Sequence, residues 1–489
     1  MTDSVIPTRS TREGDVLGLR ADGIDRFFGI PYAAPPFGVR RFELPQPAEP
    51  WNGPRDATRP GPNAPQNPRP DGFPPVASPL NTDEGDILSL NMWAPADAAP
   101  GTCPVIFWIH GGALHQGANS EALTDGSRFA AGGAVVVAAN YRLGAEGFSV
   151  LGGAPLNLGL EDVLAALRWV HDEISSFGGD PTRITIVGQS AGGVLAAALM
   201  ASPSAQGMFQ RVIVQSGPLE AQPADEAGAI TRLMAEHLGI APTKQAFAAI
   251  APQQLLESQA AAISGGIPGV TSPGFQLAID ETLVPTSPGD ALIAGVAADV
   301  ELLIGVCAEE HRLYMAPTGM LDLVTDELLD LLLITAPFPD LNVYRAAMPD
   351  ARPGDLAGTL LSDVTLRGPM LEAADARAAA GATTYVYEFA WRSPSLDLGA
   401  AHAVDLPYVF HTLNVPDSQM LVGDTAPTEL ADAMNGAWLR FAAGADPGWP
   451  RWDQRRPTKV FDGATNPIES DRDHAVRVAL LAALAERRT

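Results

Sequence analysis

The chain has 489 residues, of which 46% are hydrophobic and 18% are charged, and its 57 acidic residues outnumber 31 basic residues to give a formal net charge of −26. This composition predicts a globular protein with a large core and excludes an intrinsically disordered chain. The negative charge repels phosphate backbones and anionic lipids, so neither nucleic acid nor a membrane surface is expected as a partner.

Targeting and redox signals point to the cytoplasm. Residues 1–15 lack the apolar segment of a signal peptide, and no apolar run approaches the roughly 18 residues that span a membrane. Cys103 and Cys307 are too far apart in sequence to form a disulfide framework or a zinc cluster, and both read as small buried hydrophobic residues. Lysine occurs only at Lys244 and Lys459, and such an Arg- and Ala-rich composition is typical of GC-rich bacterial coding.

Two proline-rich stretches come first along the chain. Residues 27–51 combine proline with aromatic residues and predict an extended, packed segment without regular helix. Residues 59–79 predict a surface loop. No domain linker is evident beyond them, so we expect residues 1–489 to form a single domain with lid-like insertions.

From residue 88 onward, short apolar runs alternate with helix-like patterns, which is typical of an α/β fold with parallel strands. Residues 161–174 have the apolar spacing of an amphipathic helix packed on a sheet. Residues 325–334 also predict a helix, which belongs either to the core, the preferred reading, or to a lid over the site. The best strand candidates are residues 105–109, 134–139, 184–187, 212–214, 302–304 and 384–389.

The segment RITIVGQSAGGVLAAALM, residues 183–200, carries the strongest chemical signal. It places a G-x-S-x-G pattern between a β-branched strand and a helix of small residues, which is the setting of a nucleophile elbow in an α/β-hydrolase fold. Gly188 and Gly192 leave room for the sharp turn, and the turn exposes the hydroxyl of Ser190. The N-terminus of the following helix lies near the oxygen that becomes negative during attack. Ser190 is therefore the predicted nucleophile.

A second glycine-rich segment predicts the oxyanion hole. VIFWIHGGALHQGA, residues 105–118, is a strand that runs into a loop of the HGGG type. The expected amide donors are those of Gly112, Ala113 and Ala191. Small residues allow the backbone to approach the reacting carbonyl group closely.

The nucleophile needs a base that lies after it in this fold, with an acid between the two. Three histidines leave room for an intervening acid: His402, His411 and His474. His402 follows the strand predicted at 384–389 in a short loop of Gly and Ala, whereas His474 lies in a charged C-terminal run that reads as solvated. We therefore expect His402 to be the base.

The acid is expected at the carboxyl end of the strand that contains residues 302–304, because open α/β sheets place their sites at such ends. Glu309 and Glu310 follow that strand directly, and Asp363 is the main rival. Spacing alone does not separate Glu309 from Glu310.

Nearly the whole chain resembles the type-B carboxylesterases, the family of bacterial p-nitrobenzyl esterases and animal cholinesterases. The resemblance rests on the motifs FFGIPYAAPPFGVRRF, LSLNMWAP, WIHGGA, ANYRLGAEGF, GQSAGG, VQSG, IGVCAEEHRLY and HAVDLPYVF. It implies an α/β-hydrolase fold and a serine carboxylesterase activity. In the family's G-x-x-x-D-E-G pattern the acid is the second carboxylate, which selects Glu310. The family's nucleophile and histidine match Ser190 and His402, its oxyanion donors match Gly112, Ala113 and Ala191, and the serine of its QSG motif, a supporting residue, matches Ser216.

The sequence departs from the family pattern at several positions. Gln189 replaces the usual Glu beside the nucleophile and removes a charge there. Gly85 replaces the Glu that usually pairs with Arg142, and Ile87 removes a cysteine of a disulfide found in secreted members, consistent with a cytoplasmic enzyme. His311 stands beside the acid where the family has Gly, and we expect it to be a satisfied polar neighbour. The resemblance also suggests four substrate-pocket residues, each of which is equally compatible with plain core packing: Leu114, Phe275, Leu366 and Phe410.

The expected reaction is hydrolysis of small to medium apolar or aromatic esters through an acyl-enzyme, and it requires no metal or organic cofactor. One alternative is the same serine chemistry on a carbamate, an amide or a lactone. Another is a non-catalytic, cholinesterase-like binding protein, although every catalytic position is filled here. The oligomeric state is not indicated by the sequence.

Overall fold

The computed structural model describes residues 6–69, 85–263, 274–335 and 338–487. They form one 11-stranded sheet and one 3-stranded sheet. The 3-stranded sheet has the order β1-β2-β5, and the large sheet has the order β14-β13-β12-β11-β10-β9-β7-β8-β6-β4-β3. The strands are β1 Thr8–Thr11, β2 Gly14–Leu17, β3 Leu19–Ala21, β4 Ile24–Pro31, β5 Arg55–Asp56, β6 Ser89–Pro95, β7 Cys103–Ile109, β8 Val135–Ala139, β9 Gly179–Gln189, β10 Arg211–Gln215, β11 Glu301–Cys307, β12 Thr384–Phe389, β13 Pro457–Phe461 and β14 Ile468–Ser470.

The middle of the large sheet is parallel, as the alternation of apolar runs and helices predicts. Strand β9 pairs in parallel with both β7 and β10, and the parallel pairing continues through β11 and β12 to β13. Antiparallel strands complete the sheet at both edges. All six strands expected from the sequence are confirmed; β12 has the expected bounds, and β9 extends well beyond them because its first residues continue the pairing with β7.

Helices cover both faces of this sheet. The long helix expected at 161–174 is confirmed as α3, which begins three residues earlier. The helices are α1 Ser127–Ala131, α2 Gly144–Phe148, α3 Leu158–Glu173, α4 Ala191–Ala201, α5 Ala224–Ala227, α6 Ala229–Leu238, α7 Lys244–Ala248, α8 Pro252–Ile263, α9 Pro288–Ile293, α10 Arg312–Met315, α11 Met320–Leu323, α12 Asp326–Thr335, α13 Leu341–Ala347, α14 Pro353–Ser362, α15 Gly368–Ala379, α16 Leu406–Val409, α17 Pro416–Val422, α18 Thr428–Ala442 and α19 His474–Arg487, and a π-helical turn, Asp363–Arg367, joins α14 to α15.

The side chains of β7 alternate between two large cores. Phe107 and Ile109 belong to the core that also contains α3 and α4, and Ile106 and Trp108 belong to the core beneath α16 and α18. Both faces of a parallel sheet are expected to be covered in this way. Helix α12 does not join either core: Leu329 is buried in a separate small cluster with residues of α13 and α14.

The prediction for the first proline-rich stretch is confirmed, whereas that for the second is partly wrong. The first begins within β4 and continues as packed, mostly irregular chain, as expected. The surface loop expected at 59–79 is wrong for residues 63–66, which are buried. The side chain of Gln66 explains this burial, because it accepts a hydrogen bond from the amide of Gly117 and donates one to its carbonyl, both at 2.9 Å. Residues 70–79 lie outside the described residues.

Candidate active site

Ser190 lies in a strained turn between β9 and α4. Its backbone has φ 57° and ψ −123°, a region that residues with side chains seldom adopt, and its amide donates to the carbonyl of Gln215 at 2.8 Å. A Cβ on Gly188 would lie 2.1 Å from the carbonyl oxygen of Gly192, and one on Gly192 would lie 2.1 Å from that of Ile109. Both glycines are therefore required by close backbone contacts, and the turn leaves Ser190 only partly buried.

His402 and Glu310 form a close pair beneath the same edge of the sheet. His402 Nδ1 lies 2.5 Å from Glu310 Oε2, and the second oxygen of that carboxylate accepts the backbone amide of Cys307 at 2.7 Å. Both side chains are buried. The hydrogen bond to Cys307 fixes the carboxylate at the end of β11, so that its other oxygen faces the imidazole.

The two rivals of Glu310 face other partners. Glu309 forms an ion pair with Arg392 and accepts the backbone amide of Ala400 at 2.9 Å. Asp363 is buried beside Tyr344, whose hydroxyl donates to it at 2.8 Å. Of the three carboxylates, the structure brings Glu310 to His402.

The electrostatic surroundings of His402 favour its charged form. Burial disfavours the imidazolium, but the charge and hydrogen bond of Glu310, together with the charge of Asp405, outweigh this effect and raise the pKa of His402 above its usual value. Asp405 lies three residues along the chain, and burial raises its own pKa to about 6. His402 therefore has two buried carboxyl groups in its electrostatic surroundings, those of Glu310 and Asp405.

The loop after β7 presents free backbone amides. Gly112, Ala113 and Leu114 have φ values of 111°, 52° and 61°, a run of left-handed conformations that turns the chain sharply. The carbonyl of Gly112 accepts the amides of residues 115 and 116 at 3.0 and 2.9 Å, whereas the amides of Gly112 and Ala113 have no acceptor among the described residues. Ala191 is the first residue of α4, so its amide also lacks an acceptor within the helix. The three expected donors are thus unoccupied.

One contact in the site was not expected from the sequence. The side-chain amide of Gln189 lies 3.1 Å from His402 Nε2, the nitrogen opposite the one that faces Glu310. The departure of Gln189 from the family's Glu was visible in the sequence. Its reach to His402 was not, because the two residues are 213 positions apart and meet only through the fold.

The remaining expected residues are spread around this centre. Ser216 follows β10 with φ 49°, and its buried hydroxyl faces the sulfur of Cys307 at 3.9 Å. Leu114 and Phe275 are buried in the core cluster that contains Ala191, and Leu366 packs against that cluster. Phe410 is buried in the other large core, where its ring meets Trp108 and Phe129 edge to face. The recorded contacts of Phe410 are thus core contacts.

Two departures from the family pattern have structural outcomes. Arg142 still forms an ion pair although Gly85 replaces the Glu that usually pairs with it. Its buried side chain binds Asp162 through two hydrogen bonds of 2.7 Å. The expectation that His311 is a satisfied polar neighbour holds only in part: neither ring nitrogen has a partner at hydrogen-bond distance among the described residues, but Nε2 lies 3.8 Å from a carboxylate oxygen of Asp355. Packing also holds the ring, because a Cβ on Gly358 would lie 2.1 Å from it.

The described residues contain no group of three or more His, Cys, Asp or Glu side chains placed to hold a metal ion. Within the same part of the chain, no helix combines the length and the apolar character needed to cross a membrane.

Comparison with known proteins places the chain in a family. The model of the carboxylesterase family matches residues 4–330 and 349–472. The chain belongs to the carboxylesterase family. It is a serine-type carboxylic-ester hydrolase with an α/β-hydrolase fold, and the resemblance noted in the sequence is confirmed.

The relatives align with the carboxylesterase over nearly its full length. A para-nitrobenzyl esterase of Bacillus subtilis is 32% identical over 99% of this chain and 100% of its own, and a phenmedipham hydrolase of Pseudarthrobacter oxydans is 32% identical over 94% and 95%. The crystal structure of a Geobacillus stearothermophilus carboxylesterase superposes with a TM-score of 0.85 at 34% identity, covering 97% of this chain and 99% of that one.

Proposed function

We propose that Ser190 is the nucleophile of this esterase, His402 its general base and Glu310 the acid that orients the base. The observation that carries this assignment is the 2.5 Å contact between His402 Nδ1 and Glu310 Oε2 beside the strained turn that holds Ser190. A carboxylate can only accept here, so the contact leaves Nε2 of the neutral imidazole free of a proton and able to take one.

The reaction proceeds by acyl transfer. His402 takes the proton of Ser190 as the hydroxyl oxygen attacks the ester carbonyl, and the amides of Gly112, Ala113 and Ala191 stabilise the resulting oxyanion. His402 then protonates the leaving alcohol, and the acyl group remains on the serine. Water, deprotonated by the same histidine, attacks the acyl-enzyme and releases the acid. These steps need no metal or organic cofactor.

The substrates we propose are small to medium apolar or aromatic esters. Support comes from Leu114, which directly follows the oxyanion residue Ala113 and is buried, while Phe275 and Leu366 belong to or pack on the same extended core. Apolar side chains that line a pocket bind acyl chains and rings through burial of surface. Ser216 supports the end of β10 behind the site, and Phe410 supports the opposite core.

We further propose that the chain forms a single domain with lid-like insertions and acts in a bacterial cytoplasm. One continuous sheet runs through the described residues, which supports a single domain. Both cysteines are free, as is usual in a reducing compartment.

The assignment is tested with purified wild type, Ser190→Ala and the surface control Ser10→Ala, using p-nitrophenyl acetate and butyrate. Loss of a triad serine typically costs on the order of a millionfold in turnover. We expect this loss in Ser190→Ala alone, and we expect a fluorophosphonate to modify Ser190 in the other two proteins, as read by mass spectrometry. A labelled residue other than Ser190, or an inert and unlabelled wild type, contradicts the proposal.

The same experiment extends to the bond that is cleaved. Esters, carbamates, amides and lactones with matched acyl groups are compared by kcat/KM. We expect the esters to react faster than the amides and carbamates, because donation from nitrogen stabilises the carbonyl group of the latter two against attack by Ser190. A carbamate or an amide that outpaces its matched ester contradicts the proposed substrate class but leaves the catalytic residues unchanged.

A further inference from the structure

The side-chain amide of Gln189 occupies the nitrogen of His402 that a general base needs. Gln189 ends β9, is 3% exposed, and places its Nε2 3.1 Å from His402 Nε2. Its Oε1 is turned toward Gly111, where a Cβ would lie 2.6 Å away. The missing side chain of Gly111 therefore makes room for this orientation of the amide.

The roles in this hydrogen bond follow from the tautomer of His402. Because Nδ1 faces the carboxylate of Glu310, it carries the proton, and Nε2 of the neutral ring is an acceptor with one lone pair. The NH₂ group of Gln189 is then the donor. Among the described residues, no hydrogen bond joins the hydroxyl of Ser190 to His402. Gln189 and Ser190 thus compete for one lone pair.

We propose that Gln189 is a positioning residue that holds His402 Nε2 as an unprotonated acceptor in the resting enzyme and yields this position to Ser190 when substrate binds. The proposal rests on the triad assigned under the proposed function. An amide can donate to the neutral ring in its present orientation, but it must turn by half a rotation before its oxygen can accept from the imidazolium. The hydrogen bond therefore favours the neutral, active form of the base.

The charged and titratable groups around His402 explain why a neutral partner matters. Glu310 faces Nδ1, the carboxyl of Asp405 lies nearby, and the ring of Tyr314 lies 6.1 Å away between centroids. Both carboxyl groups raise the pKa of His402. A Glu at position 189 would be a third carboxylate, able to bind only the protonated ring, and would keep the base charged to a higher pH.

The test compares Gln189→Glu and Gln189→Met with wild type and with Gln206→Glu, which adds the same charge at an exposed position. The pH dependence of kcat/KM is measured with p-nitrophenyl butyrate. A carboxylate contact shifts a pKa by about 1 to 3 units, so we expect the acid limb of Gln189→Glu to move upward by that amount. The limb of Gln206→Glu should coincide with that of wild type.

Gln189→Met keeps the size of the side chain and removes the donor. Nothing then competes with Ser190 for Nε2, and we expect the rate of fluorophosphonate labelling of Ser190, measured above the acid limb, to rise roughly twofold to tenfold, the equivalent of one hydrogen bond. Unchanged or slower labelling in this variant, or an unmoved acid limb in Gln189→Glu, shows a merely structural role and overturns the proposal.

A measurement on the wild type needs no variant to fold. Nitrogen NMR of protein labelled in histidine, recorded above the acid limb, should show Nε2 of His402 unprotonated, with a resonance that moves when Ser190 is phosphonylated. A protonated Nε2 overturns the proposal. An inert, unlabelled wild type would instead contradict the proposed function, whereas an active enzyme labelled at Ser190 with an unshifted acid limb contradicts only the role of Gln189.

Discussion

Two segments that adjoin the proposed triad are held in place by different forces. In the elbow segment, residues 179–201, backbone packs on backbone, and even a Cβ on Gly192 would meet the carbonyl oxygen of Ile109 at 2.1 Å. In the cap segment, residues 312–362, an exposed ion pair joins Arg345 to α12. Every residue of α4 is buried, whereas α11 and α12 expose leucine side chains.

The difference shows where the geometry of the reaction is fixed. Close backbone contacts tolerate no added atom, so the elbow segment sets the position of Ser190 rigidly. Ion pairs at a surface contribute little stability and permit rearrangement. The cap segment can therefore rearrange while the elbow segment stays fixed. Glu309 and Glu310 follow the end of β11 and lie at the boundary of the cap segment.

The largest effect on activity is expected from a change to Glu310. Glu310→Gln should lower kcat by about ten-thousandfold, because the wrong tautomer of His402 is stabilised. Glu309→Gln is the matched control: Glu309 faces Arg392 and the amide of Ala400, so kcat should change by less than about tenfold. The measurement is steady-state kcat on p-nitrophenyl butyrate. Similar losses of kcat in both variants would contradict the distinction between Glu310 and Glu309.

Within the elbow segment, Gly192→Ala should lower the free energy of unfolding by about 3 kcal/mol or more, since the added methyl group overlaps the carbonyl of Ile109. Gly436→Ala in α18 provides the contrast. Its Cβ would meet only a flexible arginine side chain at 3.3 Å, and the change should stabilise the helix by about 0.5 to 1 kcal/mol. Urea denaturation measures both, and changes of the same sign would refute the backbone argument.

The pH dependence of activity tests the electrostatic surroundings of His402. Burial lowers the pKa of His402, but Glu310 and Asp405 outweigh it and raise the pKa above its usual value. The proposed base must be neutral to act. Activity should therefore be lost as the pH falls through this raised pKa, by about tenfold per unit below it. The acid limb of kcat/KM should lie above the ordinary histidine value of about 6.5. A limb below that value would mean that burial outweighs the two carboxyl groups.

The smallest effect is expected on the outer face of the cap segment. Leu328 is 51% exposed, so Leu328→Ala should change the free energy of unfolding by less than about 0.5 kcal/mol. Its neighbour Leu329 is 0% exposed, and Leu329→Ala should cost about 2 to 5 kcal/mol. Thermal denaturation compares the pair. Equal losses would show that the outer face is covered in solution.

The sequence predicted the elbow segment almost completely, because its strand, its glycines and its helix are contiguous and each has a local physical cause. The triad partners were harder to assign. Spacing left the adjacent Glu309 and Glu310 open, and only the family resemblance selected Glu310. The fold gives the physical reason, because Glu310 turns toward His402 while Glu309 turns toward Arg392. The contact of Gln189 with His402 was not predicted, since it depends on side-chain orientation across the sheet.

The cap segment and the burial of the proline-rich chain were predicted less well. Periodicity indicated α12, but it did not show that Leu329 packs in a cluster of its own. Proline content suggested a surface loop where Gln66 instead binds the backbone of Gly117. Burial of an irregular segment depends on such single side chains, which leave no periodic trace in the sequence.

The distances in sequence between paired groups also set an order for folding. Arg142 and Asp162 are 20 residues apart, whereas Glu310 and His402 are 92 apart and Gln189 and His402 are 213 apart. Closing a longer loop costs more conformational entropy, so the short-range ion pair can form while the sheet is still incomplete. His402 reaches these partners only after distant strands have docked. If it is the base, as proposed, the return of esterase activity during refolding reports a late event.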